Sequence, residues 1–388
     1  MGKTIQQTTA GETMDVIETF EAEIVIKSPG RVNLIGEHTD YNNGFVMPTA
    51  VEKSIKFYLK KNSTRSHCNV KSLTFNTSFE YDIDDPKVDG PEWTRYIVGV
   101  IEEIKKLGKV VGGFDCLMTS NLPMGAGISS SAALECGLAT GLNELFDLGL
   151  EKLEIVKLSQ MAEHNYVGTK CGIMDQFASV MSKDGSVIKL DCRSLEHELI
   201  PFNIAPYTLL LLNTNVEHSL ASSEYNTRRE ECNEGVAILQ KKFPEVKSLR
   251  DATLDQLATC KDDMTNTIYN RCSYIIEENL RVEEAGNALK KGDLEKFGKL
   301  MYESHDGLQN KYAVSCPELD FLTQYSLSNS QILGCRMMGG GFGGCTINLI
   351  HEDAIDAYVE EVAKAYEEQF DIKLTSFTIA PANGTTIL

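Results

Sequence analysis

Apolar positions alternate with polar ones along Ala22-Glu23-Ile24-Val25-Ile26-Lys27, the two-residue period of a strand, and residues 51–59 and 68–79 read as further strands joined by a polar turn. After an acidic loop over 82–91, Trp93, Tyr96, Val100, Ile101 and Ile104 predict a helix. Phe114-Asp115-Cys116-Leu117-Met118 is β-like, and beyond it Leu134, Leu138, Leu142 and Leu145 recur at helical spacing on one face. Strand, loop and helix therefore follow one another across 114–145. Residues 153–166 predict another helix, with Ile155, Leu158, Met161 and Ala162 inward and Glu163 near its end. Strands follow at 185–191 and 207–213, the second a nearly continuous apolar run, and a long helix opens within Ser219-Leu220-Ala221-Ser222-Ser223-Glu224-Tyr225. Residues 254–300 read as helical scaffold charged on its outer face, and 345–350 as β-like.

A chain of 388 residues is too long for one ordinary core, so two domains are expected, 1–201 and 202–388, divided near Pro201. The net charge of −19 argues against nucleic acid or an anionic membrane as partner, and no apolar run is long enough to span a bilayer. A nucleotide still fits an acidic protein where local amides, a few cations and a metal offset the charge. The first 21 residues lack the apolar segment of a signal peptide, so a cytoplasmic protein is expected. The eleven cysteines are odd in number and scattered, with no Cys-x-x-Cys, which predicts reduced thiols in the core.

Three loops carry the candidate chemistry. Leu122-Pro123-Met124-Gly125-Ala126-Gly127-Ile128-Ser129-Ser130-Ser131 runs straight into a helix. Its glycines allow close backbone approach, and its serines leave amides and hydroxyls at the positive end of that helix, which suits a phosphate. The same residues also serve as a plain helix cap. Gly30-Arg31-Val32-Asn33-Leu34-Ile35-Gly36-Glu37-His38-Thr39-Asp40-Tyr41 packs a planar cation, two carboxylates and an imidazole between glycines, side chains that can hydrogen-bond a neutral polyol or simply stand in water. In Cys171-Gly172-Ile173-Met174-Asp175-Gln176-Phe177, Asp175 sits among apolar neighbours, a costly place unless it is paired or used; capping a helix is the alternative. Gly339, Gly341 and Gly344 satisfy G-x-G-x-x-G, but they lead into a β-like segment fewer than fifty residues from the C-terminus, which excludes a dinucleotide domain. No P-loop sequence occurs. Taken together the loops fit phosphoryl transfer from a nucleotide to a sugar hydroxyl.

The segment from Gly30 to Tyr41 resembles the signature of the galactokinase family, within the GHMP small-molecule kinase superfamily; Leu122 to Ala133 and Gly339 to Cys345 resemble that superfamily's other two motifs. The resemblance implies an α+β, two-domain GHMP kinase fold, with an N-terminal domain like ribosomal protein S5 domain 2 and a ferredoxin-like C-terminal domain. It implies ATP-dependent phosphorylation of the anomeric C1 hydroxyl of galactose. In that reading Asp175 is the catalytic carboxylate and Arg31 its partner. Glu37, His38, Asp40 and Tyr225 bind the sugar together with the backbone at Gly172. Gly125, Ala126, Gly127, Ile128, Ser129, Ser130 and Ser131 wrap the ATP phosphates, Trp93 lies near the adenine, and Ser131 and Glu163 hold Mg2+. Galactose and ATP are the expected partners of a monomer. One departure is visible: Met338 stands where the family usually has Thr, which removes a hydroxyl from the third loop and puts one hydrogen bond there in question.

Overall fold

The computed structural model describes residues 10–87, 90–123, 125–216 and 221–388, with side chains from residue 14 onward and, in the helix starting at Ala221, from Glu224. Residues 1–9 of the polar start, Val88 and Asp89 of the acidic loop, Met124, and Ser219 and Leu220 at the expected opening of the long helix lie outside the described residues.

Strand Ile24–Asn33 pairs antiparallel with Pro48–Lys61, whose other edge takes Phe114–Ser120. Phe114–Ser120 pairs in parallel with His67–Ser72, which pairs in turn with Thr77–Asp82. The single strand expected over 68–79 is therefore a hairpin. Asn76 breaks it at a φ of 48°, a left-handed turn that Asn tolerates better than most residues. The terminal strands Pro381–Ala382 and Thr386–Ile387 return to Pro48–Lys61 and Ile24–Asn33, completing seven strands. We propose the domain boundary near Pro201, with these last strands crossing back over it.

Helices Ser130–Phe146 and Met174–Met181 pack on this sheet, and Thr94–Lys106 and Lys152–Ala162 pack on those helices and on each other. Leu134, Leu138, Leu142 and Leu145 are buried, as their spacing predicts. Met161, expected inward, is instead 39% exposed. Six residues beyond Ile155 places it about 120° around the helix, off the buried stripe of Ile155, Ser159 and Ala162.

In the second half, Tyr207–Asn213, Ile332–Met337, Cys345–His351 and Thr375–Ile379 form an antiparallel sheet, with Tyr207–Asn213 between Cys345–His351 and Thr375–Ile379. Helices separate the first and second of these strands, and Ile355–Phe370 separates the third and fourth; this order and connection is the ferredoxin-like arrangement. The continuous apolar run at 207–213 follows from burial of both faces: Leu209 and Leu211 join the main core, Leu210 and Leu212 the core under Tyr358 and Tyr366. Residues 254–300 divide into Leu254–Thr259, Asn266–Lys291 and the start of Leu294–Gly307. Among the described residues no helix is long and apolar enough to cross a membrane. The cysteines are unpaired and buried, save half-buried Cys171.

Candidate active site

Strand Ile24–Asn33 delivers Arg31, and the first turn of helix Met174–Met181, which packs on that strand, delivers Asp175. The two meet as a fork: Nε and Nη2 of Arg31 donate to Oδ1 and Oδ2 of Asp175 at 2.7 and 2.8 Å. The third guanidinium nitrogen donates to the Gly127 carbonyl at 2.6 Å, and Ser129 donates its hydroxyl to Asp175 Oδ2 at 2.5 Å. Burial opposes the charge on Arg31, but Asp175 more than restores it, so the guanidinium is held cationic. To aim its amides and hydroxyls into the cleft, the loop takes left-handed backbone at Gly125 (66°), Gly127 (69°) and Ser129 (53°). A non-glycine residue adopts that conformation at a cost of about 1–2 kcal/mol, which the bond from Ser129 to Asp175 helps offset.

Arg31, Glu37, His38, Asp40, Glu163, Asp175, Tyr225 and the backbone from Gly125 to Ser131 border one cavity of about 390 Å³. Gly172 lies behind it, with the Asp40 carboxylate where its Cβ would be, so only glycine lets that side chain in. Trp93 does not border this cavity. It lines a neighbouring apolar one of about 470 Å³, with Ile55, Phe75 and Leu134, which shares Tyr96, Pro123, Gly125, Ser130 and Ser131 with the first. Met338 is buried in the main core and borders neither cavity, so its thioether meets apolar side chains.

The third glycine stretch packs against the serine loop and borders the cavity through Gly339 and Gly340. It is tied down by Glu37, whose Oε1 accepts from the Gly339 amide at 2.9 Å and from Arg336 Nη2 at 2.6 Å. Burial raises the Glu37 pKa, against the opposing pull of Arg336. Arg336 is itself fully buried and donates to the carbonyls of Leu34, Met337 and Asn33 at 2.8, 2.7 and 2.9 Å. The sequence pattern gives Arg336 no role, although a cation inside the apolar strand Ile332–Met337 is a signal for one. Helix Asn266–Lys291, expected to be scaffold alone, also holds the sugar-like loop: Tyr274 donates to the Glu37 carbonyl (3.0 Å), Glu278 accepts from the Gly36 amide (2.9 Å), and Asn279 accepts from the Phe45 amide (2.8 Å).

The titratable groups are tuned by burial. Asp40 is pushed up to about 7, by desolvation first and by the Asp175 charge second, and desolvation takes His38 down to about 3, leaving it neutral. Glu163 is pushed up to about 7 by burial and then by Asp175, and it lies beside the Ser131 hydroxyl. Behind it Gln176 donates through Nε2 to both Glu163 (3.1 Å) and fully buried Glu135 (3.2 Å), so that carboxylates crowd this end of the cleft.

Asp40 has a consequence for stability. Its folded form keeps its proton to higher pH than the unfolded chain does, so stability falls as pH rises from about 4 to about 7. Asp40→Asn removes that loss: the ligand-free variant should gain thermal stability over the wild type across this window while binding sugar more weakly. Melting curves at pH 5 and pH 8 check it, and a difference between the two proteins that does not grow with pH contradicts it.

Three family models match this chain: the galactokinase galactose-binding signature over residues 17–61, the GHMP kinase N-terminal domain over 95–183 and the GHMP kinase C-terminal domain over 287–368. A galactokinase of Thermotoga petrophila is 41% identical over 360 residues, covering 92% of this chain and 98% of the relative. The chain belongs to the galactokinase family. A second galactokinase, from Thermosipho africanus, is 40% identical over 369 residues, covering 93% of this chain and 99% of its own. The crystal structure of Lactococcus lactis galactokinase complexed with galactose superposes with a TM-score of 0.93 at 32% identity, covering 98% of this chain and 99% of that one. Methanococcus jannaschii mevalonate kinase, at 18% identity, a TM-score of 0.65 and coverage of 94% and 100%, shares the fold. The signature match contains Arg31, Glu37, His38 and Asp40, and the N-terminal domain match contains the serine loop, Glu163 and Asp175.

Proposed function

We propose that this chain is a kinase of galactose, moving the γ-phosphoryl group of ATP to the anomeric C1 hydroxyl and releasing galactose 1-phosphate and ADP. The observation that carries the reading is the fork of Arg31 on Asp175, joined through Gly127 and Ser129 to the serine loop. It puts an acceptor for a hydroxyl proton and a cradle for phosphates in the same cavity. Galactose would lie against Glu37, His38, Asp40 and Tyr225, with Gly172 backing Asp40. The phosphates would lie on the amides of Gly125 to Ser131, and the adenine in the apolar cavity beside Trp93, whose wall continues into the serine loop.

In this reading Asp175 accepts the hydrogen bond of the attacking hydroxyl and aligns its oxygen with the γ-phosphorus. Arg31 compensates the negative charge that builds between them. The amides of the serine loop and the N-terminus of helix Ser130–Phe146 hold the phosphate oxygens while charge moves toward the leaving ADP.

Ser131 and Glu163 suit a divalent cation. Both border the cavity with hard oxygens, and burial and the Asp175 charge outweigh the pull of Arg31 on Glu163, an imbalance that a cation would relieve. Among the described residues no group of three or more His, Cys, Asp or Glu side chains could hold a metal alone, so a bound Mg2+ would draw its other ligands from water and phosphate. When bound, Mg2+ supplies charge neutralisation on the phosphates. We place the enzyme in the cytoplasm as a monomer, where ATP is supplied and unpaired thiols persist.

Tyr225→Phe deletes one hydroxyl from the sugar side and should weaken galactose binding by about 0.5–1.5 kcal/mol. Calorimetric titration measures it, and an unchanged dissociation constant removes Tyr225 from the sugar set. The reading as a whole is tested by coupled ADP release with galactose, its C4 epimer glucose and N-acetylgalactosamine. Galactose is expected to turn over best. Binding of galactose and ATP without ADP release would mark a sensor instead.

A further inference from the structure

A run of part-buried and buried hydrogen bonds leads away from the sugar side of the cavity, and none of its outer members borders that cavity. His38 Nε2 lies 3.2 Å from the Gly340 carbonyl, His38 Nδ1 lies 2.8 Å from the Tyr41 hydroxyl, Tyr41 and Tyr312 share a 2.7 Å contact, and Tyr312 lies 3.2 Å from Cys232 Sγ. Tyr312 and Cys232 are fully buried, and His38 is 3% exposed. The His38 ring is wedged between Tyr312 and Tyr225, with centroids at 5.0 and 5.3 Å.

The direction of this chain follows from counting protons. A carbonyl oxygen only accepts, so His38 Nε2 carries a hydrogen. In a neutral ring Nδ1 is then bare and must accept from Tyr41. Tyr41 has one hydroxyl hydrogen, now used, so its oxygen accepts from Tyr312. Tyr312 is left in the same position and accepts from the thiol of Cys232. The chain could reverse only if the ring were doubly protonated, which would bury a cation near the guanidiniums of Arg228 and Arg336.

We propose that Tyr41 and Tyr312 are positioning residues that lock His38 in its Nε2–H tautomer, so that the ring spends its one proton on the Gly340 carbonyl and ties the signature loop to the third glycine stretch. The assignment rests on the reading of this cavity as a sugar site. With both ring nitrogens engaged, sugar hydroxyls find acceptors at the carboxyl oxygens of Glu37 and Asp40, and His38 acts on sugar binding by holding Gly340 in the cavity wall. An Nδ1–H ring would turn a bare Nε2 toward the Gly340 carbonyl, and that part of the wall would lose its tie.

Long-range proton–nitrogen NMR of the histidine ring tests the assignment, on the full chain and on Tyr41→Phe and Tyr312→Phe, with galactose KM and kcat measured in parallel. The wild type should show the proton on Nε2 near neutral pH. Tyr41→Phe removes the donor to Nδ1 and should admit the Nδ1–H tautomer, with galactose KM rising about two- to tenfold and kcat unchanged within about twofold. Tyr312→Phe should keep the tautomer, because Tyr41 still donates, and raise KM less. A wild-type ring protonated on Nδ1 alone or on both nitrogens overturns the proposal, as does an unchanged tautomer or an unchanged KM in Tyr41→Phe. Should Tyr41→Phe fail to fold, the wild-type spectrum decides. A wild type that turns over some other sugar counts against the substrate reading alone, since the ring spectrum does not depend on turnover.

Discussion

Asp175→Asn is expected to bring phosphoryl transfer down by at least about 10²–10⁴-fold while galactose still binds and the protein still folds. The substitution keeps the shape of the side chain and removes its charge. Arg31 would lose its anionic partner on both oxygens, and an amide nitrogen in place of Oδ2 would face the guanidinium and the Ser129 hydroxyl as a donor. The attacking hydroxyl would lose the group that takes or orients its proton. Because Glu37, His38 and Tyr225 are untouched, the deficit should appear in kcat far more than in KM. Single-turnover kinetics with a parallel calorimetric titration of galactose separates the two, and near wild-type turnover would remove Asp175 from the chemistry.

The second large effect is structural. Arg336→Met should cost about 3–5 kcal/mol of stability and most of the sugar affinity, although Arg336 is fully buried behind the cavity wall. Its guanidinium serves three backbone carbonyls and one carboxylate, so its loss leaves Glu37 as a buried charge with the Gly339 amide as remaining support on Oε1. Glu37 joins the signature loop to the third glycine stretch, and both walls of the sugar side should therefore loosen together. Adding Glu37→Gln to Arg336→Met should recover part of the stability, because the orphaned charge is gone, without recovering sugar binding. Denaturant unfolding of the single and double variants measures this; a double variant as unstable as the sum of its parts would show that the two side chains do not act as a unit.

These two sites differ in how far the sequence disclosed them. Asp175 could be found because a carboxylate among Ile173, Met174 and Phe177 needs a reason, and the serine loop because glycines and serines before a regular helical stripe have few uses. Both signals are local. The supports of the signature loop are not: Tyr274, Glu278 and Asn279 reach it from a helix more than two hundred residues away in sequence, and nothing in a helical pattern says which loop a polar residue will meet. The same limit applies to the chain from His38 through Tyr41 to Tyr312. Where local patterning erred, the cause was narrow. Met161 is apolar but its angle turns it away from the buried side of its helix, and the short turn of the hairpin at 67–82 leaves little break in the strand pattern.

In the proposed reading the enzyme's fit to galactose depends on two layers. Arg31, Asp175 and the serine loop would form the reacting layer, and their mutual contacts involve backbone as well as side chains. Glu37, Arg336 and helix Asn266–Lys291 form the layer that holds the sugar loop against the third glycine stretch. Loss from the first should silence the chemistry with the fold intact. Loss from the second should weaken fold and affinity together.

The central claim is that one carboxylate and one phosphate cradle act in the same cavity on one sugar hydroxyl. Phosphorus NMR of galactose and ATP with the wild type and with Asp175→Asn tests it directly, since coupling between phosphorus and the sugar protons identifies the carbon that receives the phosphate. The account predicts a single product phosphorylated at the anomeric carbon with the wild type and none with the variant on the same time scale. Phosphate on another hydroxyl, or comparable product from both proteins, would contradict it.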